Sequence, residues 1–126
     1  PDLVVLATHL VGGTERIVEI DVYRGQGGLA FGVPDIYRFD GRDLGLLYGD
    51  LDGDEIGDLV LASTTDPTSV AILRGTGDGT FEDPEYVLVN GVPSGLTFVD
   101  LDSEGLMDLL VGDISGSLQP LVNLSQ

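Results

Sequence analysis

"DLDGDEIGDLVLAS" occupies residues 50–63 and joins two unlike halves. Its first nine positions hold Asp50, Asp52, Asp54 and Asp58 with Glu55 among them, and the remainder is almost wholly apolar. Carboxylates this crowded repel one another, and the nearest arginine in sequence is Arg42. The apolar half has the length and continuity of a strand covered on both faces. The stretch reads as an acidic loop feeding a buried strand, and the loop needs positive charge from somewhere other than the chain.

The same pattern returns further along. "GLLYGDLDGDEIGDLVLAS" at 45–63 aligns with "GLTFVDLDSEGLMDLLVGD" at 95–113, placing Asp50, Asp52 and Asp58 on Asp100, Asp102 and Asp108, and Asp54 on Glu104. An identical offset carries "YRGQGGLAFGVPDIY" at 23–37 onto "LRGTGDGTFEDPEYV" at 73–87. There Arg24 meets Arg74, Gly25 meets Gly75, Gly27 meets Gly77, Phe31 meets Phe81 and Pro34 meets Pro84. Two separate segments agreeing on one period establish an internal repeat.

Within the complete unit, strands are expected at 44–49, 58–63, 69–74 and 86–90. A turn is expected at 64–67, a hairpin turn at Asp78-Gly79 and a closing turn at Asn90-Gly91. No stretch of ten or more residues carries a convincing helical period, so helix should be minor. Four antiparallel strands per unit of this length match a β-propeller blade, which needs neighbours to bury its faces. The expectation is an all-β chain of about two and a half blades, an incomplete ring. Residues 1–43 form a partial blade with strands two to four. Residues 44–93 form a complete blade around the loop at 50–58, and 94–126 a partial blade, strands one to three, around the loop at 100–108. The match of "DLVV" at 2–5 to "DLVL" at 58–61 puts six extra residues in the first unit, expected as an enlarged loop in "THLVGGTER" at 8–16. So few blades cannot close a ring. The chain is expected to be a piece of something longer, as Pro1 in place of methionine suggests, or to assemble with copies or a partner through exposed strand edges.

In each loop, carboxylates at positions one, three and five can turn toward one point. Position seven offers a backbone carbonyl and position nine a further carboxylate. The candidate ligands are Asp50, Asp52, Asp54, the Ile56 carbonyl and Asp58, and then Asp100, Asp102, Glu104, the Leu106 carbonyl and Asp108. All are hard oxygens, a set that suits Ca²⁺ better than the strictly octahedral Mg²⁺. Two calcium sites are expected. Position six commonly needs a left-handed backbone, which Gly105 adopts freely and Glu55 only at a cost of roughly 1 kcal/mol.

The D-x-D-x-D-(G)-x-x-D loop followed by "RGTGDGTF" at 74–81 resembles the FG-GAP repeat of integrin α-subunit propellers and related bacterial and fungal proteins. The resemblance covers almost the whole chain. It implies calcium bound by the aspartate loops between the first and second strands of a blade, in an extracellular module for adhesion, recognition or scaffolding. Glu55 in place of the usual glycine, and Gly28 and Leu29 in place of the Asp-Gly turn, depart from the family pattern.

The net charge of −17, with five arginines and no lysine, repels nucleic acid and anionic membrane and attracts cations. It would also suit a saline habitat. With no cysteine and a single histidine, His9, a His/Cys zinc site or Cys-His catalysis is excluded. His9, expected in the enlarged loop, is read as a surface or packing residue. Gly75, Gly77 and Gly79 are read as a hairpin turn rather than a phosphate loop, because Asp78 intervenes and no lysine follows. Phe31 and Phe81 are read as packing anchors, the four tyrosines chiefly as strand residues, and the sequon at Asn123 as fortuitous. No enzyme activity is expected. The expected role is an extracellular, cell-surface or periplasmic calcium-binding module for adhesion or protein interaction. The alternatives are a subunit of a homo-oligomeric ring or fibre joined through its terminal blades, and a glycan-binding propeller.

Overall fold

A computed structural model describes residues 2–40, 43–63 and 69–121. Ten strands and no helix occur among them: β1 (Leu3–Val11), β2 (Glu15–Tyr23), β3 (Asp35–Asp40), β4 (Asp43–Gly49), β5 (Asp58–Ser63), β6 (Ser69–Leu73), β7 (Glu85–Leu88), β8 (Pro93–Val99), β9 (Asp108–Asp113) and β10 (Leu118–Leu121). They form three antiparallel sheets of three, four and three strands, in the orders β1-β2-β3, β4-β5-β6-β7 and β10-β9-β8. The expected turn at 64–67 and the sequon at Asn123 lie outside the described residues.

The sheets stack face to face with the four-stranded one in the middle. Alternation along β5 and β6 decides what each side chain meets. Leu59, Leu61, Ala71 and Leu73 point to one side and pack with Val18, Ile20, Val22 and Phe39 of the first sheet. Val60, Val70 and Ile72 point to the other and pack with Leu109 and Val111 of the last sheet. Every residue of β6 is therefore buried, which is why "SVAIL" shows no polar alternation. Each fully covered Leu, Ile or Val contributes roughly 1.5–3 kcal/mol, so the two interfaces supply most of the stabilisation.

The repeat recurs in three dimensions. Isolated bridges join Gly25 to Phe31 and Gly75 to Phe81 after β2 and β6. The backbone N–H of Gly32 donates to the Arg24 carbonyl at 3.1 Å, as that of Glu82 does to Arg74 at 2.8 Å. Phe81 packs on the first interface, edge-on to Tyr37 at a centroid distance of 5.9 Å, and its N–H donates to the Tyr37 hydroxyl at 3.0 Å. Phe31 is more exposed and meets the edge of Tyr23 at 6.5 Å.

One expectation needs correction. Most of segment 8–16 is not an enlarged loop: β1 and β2 stay paired from Leu3↔Tyr23 to Val11↔Glu15, and the extra residues lengthen this hairpin. The turn closes through Gly12 and Gly13, both with positive φ. His9 thus lies on a strand opposite Ile17, with Nε2 3.7 Å from a Glu19 carboxylate oxygen.

The hairpin turn between β6 and β7 is held by one side chain. Asp78 Oδ1 accepts from the Thr76 hydroxyl at 2.6 Å, the Thr80 hydroxyl at 2.5 Å and the Thr80 N–H at 3.1 Å. The Thr76 hydroxyl, then the hydroxyl and N–H of Thr80, hold Asp78 down at about 2 against its ordinary 3.8. A carboxylate depressed in the folded state contributes its stabilisation above the unfolded value and loses it as pH falls through the folded one. Asp78→Ala should therefore melt below the parent at neutral pH, with the gap closing between about pH 4 and pH 2, as followed by circular dichroism in calcium-free buffer.

Candidate metal centre

Both acidic loops leave the first strand of a sheet and enter the second: 50–57 joins β4 to β5, and 100–107 joins β8 to β9. Their aspartates curl the backbone inward by accepting from N–H groups further along. Asp50 accepts from Gly53 at 2.7 Å and from Glu55 at 2.9 Å, Asp52 from Asp54 at 3.2 Å, and Asp54 from Ile56 at 2.9 Å. In the second loop Asp100 accepts from Gly105 at 3.0 Å and Asp102 from Glu104 at 3.2 Å.

This curl needs two left-handed residues per loop, at positions four and six. Gly53 and Glu55 have φ of 77° and 67°, and Ser103 and Gly105 have φ of 60° and 86°. Each loop has one glycine and one strained residue, in opposite order. The sequence pointed to position six and not to position four. A Cβ at Gly53 would also lie 2.8 Å from Leu106 Cδ2, so the two loops approach closely there.

One carboxylate oxygen from each of Asp50, Asp52 and Asp54 lies within 4.8 Å of the others, and so it is for Asp100, Asp102 and Asp108. Oxygens sharing one calcium at about 2.3–2.6 Å can stand no more than about 5 Å apart, so both groups have a span that fits. Asp58 and Glu104, expected among the ligands, stand outside these groups. The Ile56 side chain packs toward the turn at Gly75 and Gly77, and the Leu106 side chain toward Gly53. Burial pushes the Asp52 carboxyl up, helped by a hydrogen bond with the Asp54 carboxyl and the negative charges of Asp58 and Asp54. At Asp50 burial acts the same way, but the N–H groups of Glu55 and Gly53 outweigh it and the carboxyl is held down. Two neighbouring carboxyls of one loop are thus shifted in opposite directions.

Asp58 has a different task. It is fully buried, its Oδ2 accepts from Leu51 N–H at 2.9 Å and its Oδ1 from Gly75 N–H at 2.9 Å. Arg74 Nη1 lies 3.7 Å from Oδ2. One carboxylate thereby clasps the start of the acidic loop to the turn after β6. Asp2 repeats half of the clasp, accepting from Gly25 N–H at 2.9 Å, and Asp108 repeats the other half, accepting from Leu101 N–H at 2.9 Å. The recurring Arg-Gly pair was visible in the sequence, but its connection to the ninth loop position was not.

Residues 50–111 match the family model of the FG-GAP-like repeat. Over that span, which holds both acidic loops, the chain belongs to the FG-GAP-like repeat family. Comparison with curated proteins and with solved structures gave no match.

The strained residues make a test independent of any metal. Glu55→Gly and Ser103→Gly should each raise stability by up to about 1 kcal/mol in urea unfolding with EGTA present. Gly53→Ala and Gly105→Ala should each lower it, Gly53→Ala more, because its Cβ also meets Leu106.

Proposed function

We propose that the chain is a segment of an integrin-like β-propeller, with calcium in both acidic loops as a structural ion, serving as an extracellular adhesion, recognition or protein-interaction module. The observation that carries this reading is the convergence of three carboxylates at the same place in two consecutive sheets, inside an FG-GAP-like repeat. The stacked antiparallel sheets agree with blades, since each covers a face its neighbour could not leave in water. Asp50, Asp52 and Asp54 would hold one ion and Asp100, Asp102 and Asp108 the other, with Asp58 positioning the first loop. Calcium would neutralise the carboxylates and pin the two strands that each loop joins. Nothing in this role calls for catalysis.

Differential scanning calorimetry in calcium, magnesium and EGTA tests the reading. Calcium should raise Tm well above the EGTA value and magnesium should raise it less; coincident curves would count against it. Asp54→Asn should weaken the calcium response and leave the EGTA curve nearly unchanged. Asp58→Ala should instead depress the EGTA curve, since it strips the buried N–H groups of Leu51 and Gly75 of their acceptor, at about 1–3 kcal/mol.

A further inference from the structure

Between β7 and β8 the chain crosses from the middle sheet to the last, and Asn90 and Gly91 lie exposed at that bend. Two hydrogen bonds hold the joint to the last sheet. Asn90 N–H donates to Gln119 Oε1 at 2.9 Å, and Ile114 N–H donates to the Val92 carbonyl at 3.0 Å. The fold requires glycine at 91, because its φ is 75° and a Cβ there would stand 2.6 Å from Asp113 Oδ2. Asparagine at 90 is not fixed in the same way, since Asp40-Gly41 stands at this place in the preceding unit. Asp52-Gly53 and Asp78-Gly79 are the other acid-glycine or amide-glycine pairs among the described residues. Their side chains are engaged by N–H or hydroxyl donors within their own turns. Asn90 differs: among the described residues neither its side-chain amide nor the Gly91 N–H makes a hydrogen bond. Beside it lies a cleft of about 340 Å³ lined by Asn90, Asp113, Ser117 and Gln119, so water reaches the amide.

We propose that Asn90-Gly91 is a self-modification site, at which the Asn90 amide is lost and the joint between the middle and last sheets changes with age. The Gly91 nitrogen attacks the Asn90 side-chain carbonyl carbon. That N–C bond forms, the bond to the side-chain nitrogen breaks, and ammonia leaves with the proton given up by Gly91. Water then opens the cyclic imide at either carbonyl, leaving aspartate or isoaspartate at 90. No reactant other than water enters. Glycine hinders this closure least, having no Cβ beside the attacking nitrogen. The residue that the turn demands is thus the one that makes its neighbour reactive. Either product adds negative charge near Asp113, which lines the same cleft and whose carboxyl the Ser115 hydroxyl and then the Ser117 N–H hold below its ordinary value. Isoaspartate also routes the main chain through the former side chain, a carbon longer, and so strains the bonds to Gln119 and Ile114. The site stands apart from the calcium reading.

The test ages the whole chain, folded at mildly alkaline pH, beside a sample held unfolded in urea. Peptide mapping by mass spectrometry locates the amide exchanged for an acid, and a carboxyl methyltransferase specific for isoaspartate counts that product. The folded chain should lose the Asn90 amide at a rate within about tenfold of the unfolded chain, a barrier difference no larger than one hydrogen bond supplies. The aged parent should melt below the fresh parent. Asn90→Gln, whose longer arm closes a ring poorly, should form no isoaspartate at 90 and keep its Tm on ageing. An amide retained in the folded chain and lost only in urea would overturn the proposal. So would an equal fall in Tm on ageing Asn90→Gln, or an aged parent rich in isoaspartate whose Tm has not moved. A parent chain that ages as described and shows no calcium response would fault the metal reading and not this one.

Discussion

A carboxylate buried without water survives only if the protein supplies what water would have given, and Asp58 is the residue on which that condition bears hardest. It has no exposed surface, yet both oxygens are met, one by the N–H that opens the acidic loop and the other by the N–H beyond β6. Those two segments stand 24 residues apart along the chain, from Leu51 to Gly75. Tying them fixes where the loop leaves the sheet and where the next turn begins. Packing alone would not set this register so firmly, because Val, Leu and Ile on neighbouring strands tolerate small slips better than a hydrogen bond does. Gly75 completes the clasp by having no side chain: a Cβ there would stand 2.2 Å from the Gly57 carbonyl oxygen.

The clasp divides the acidic residues into two trades. Position nine serves the fold in both loops, accepting from Leu51 N–H at Asp58 and from Leu101 N–H at Asp108, and at Asp108 it also joins the carboxylate group. Positions one and three curl both loops, and the carboxylate oxygens that gather come from positions one, three and five in the first loop and one, three and nine in the second. The few cations follow the same division. Arg24 and Arg74 recur at one register position, and each reaches an acid on the next strand, Asp35 at 2.6 Å and Glu85 at 3.5 Å. Arg74 also stands 3.7 Å from the Asp58 carboxylate.

Much of the architecture was legible because the repeat constrains it twice. The expected strands at 44–49, 58–63 and 69–74 fall within one residue of β4, β5 and β6, since apolar runs bounded by turn residues leave little freedom. The expected strand at 86–90 is found as Glu85–Leu88, its last residue paired with Ser69, the first of β6. The hairpin of β1 and β2 was misjudged for a physical reason. "THLVGGTER" looks like a loop by composition, but the antiparallel ladder can run to the very edge of Gly12-Gly13 when those two residues absorb the positive φ. The ligand groups were harder still, because which carboxylates converge depends on side-chain rotation and on backbone N–H groups from distant segments. Asp58 also accepts from Gly75 N–H, and no spacing rule within 50–58 carries that information.

The pattern of burial also explains why the middle sheet is so much more apolar than its neighbours. It alone among the described sheets is covered on both sides, so β6 is apolar apart from Ser69 and β5 keeps one charge, Asp58, where the clasp needs it. The last sheet leaves Leu118 68% exposed at the register position of the buried Val70, an apolar surface with the form of a further interface. The first sheet carries Glu19, Asp21 and the facing Arg38 near the centre of its outward face. Among the described residues the other acids sit in loops, turns and at strand ends, so two carboxylates in the middle of β2 are the exception to the way this chain distributes its charge.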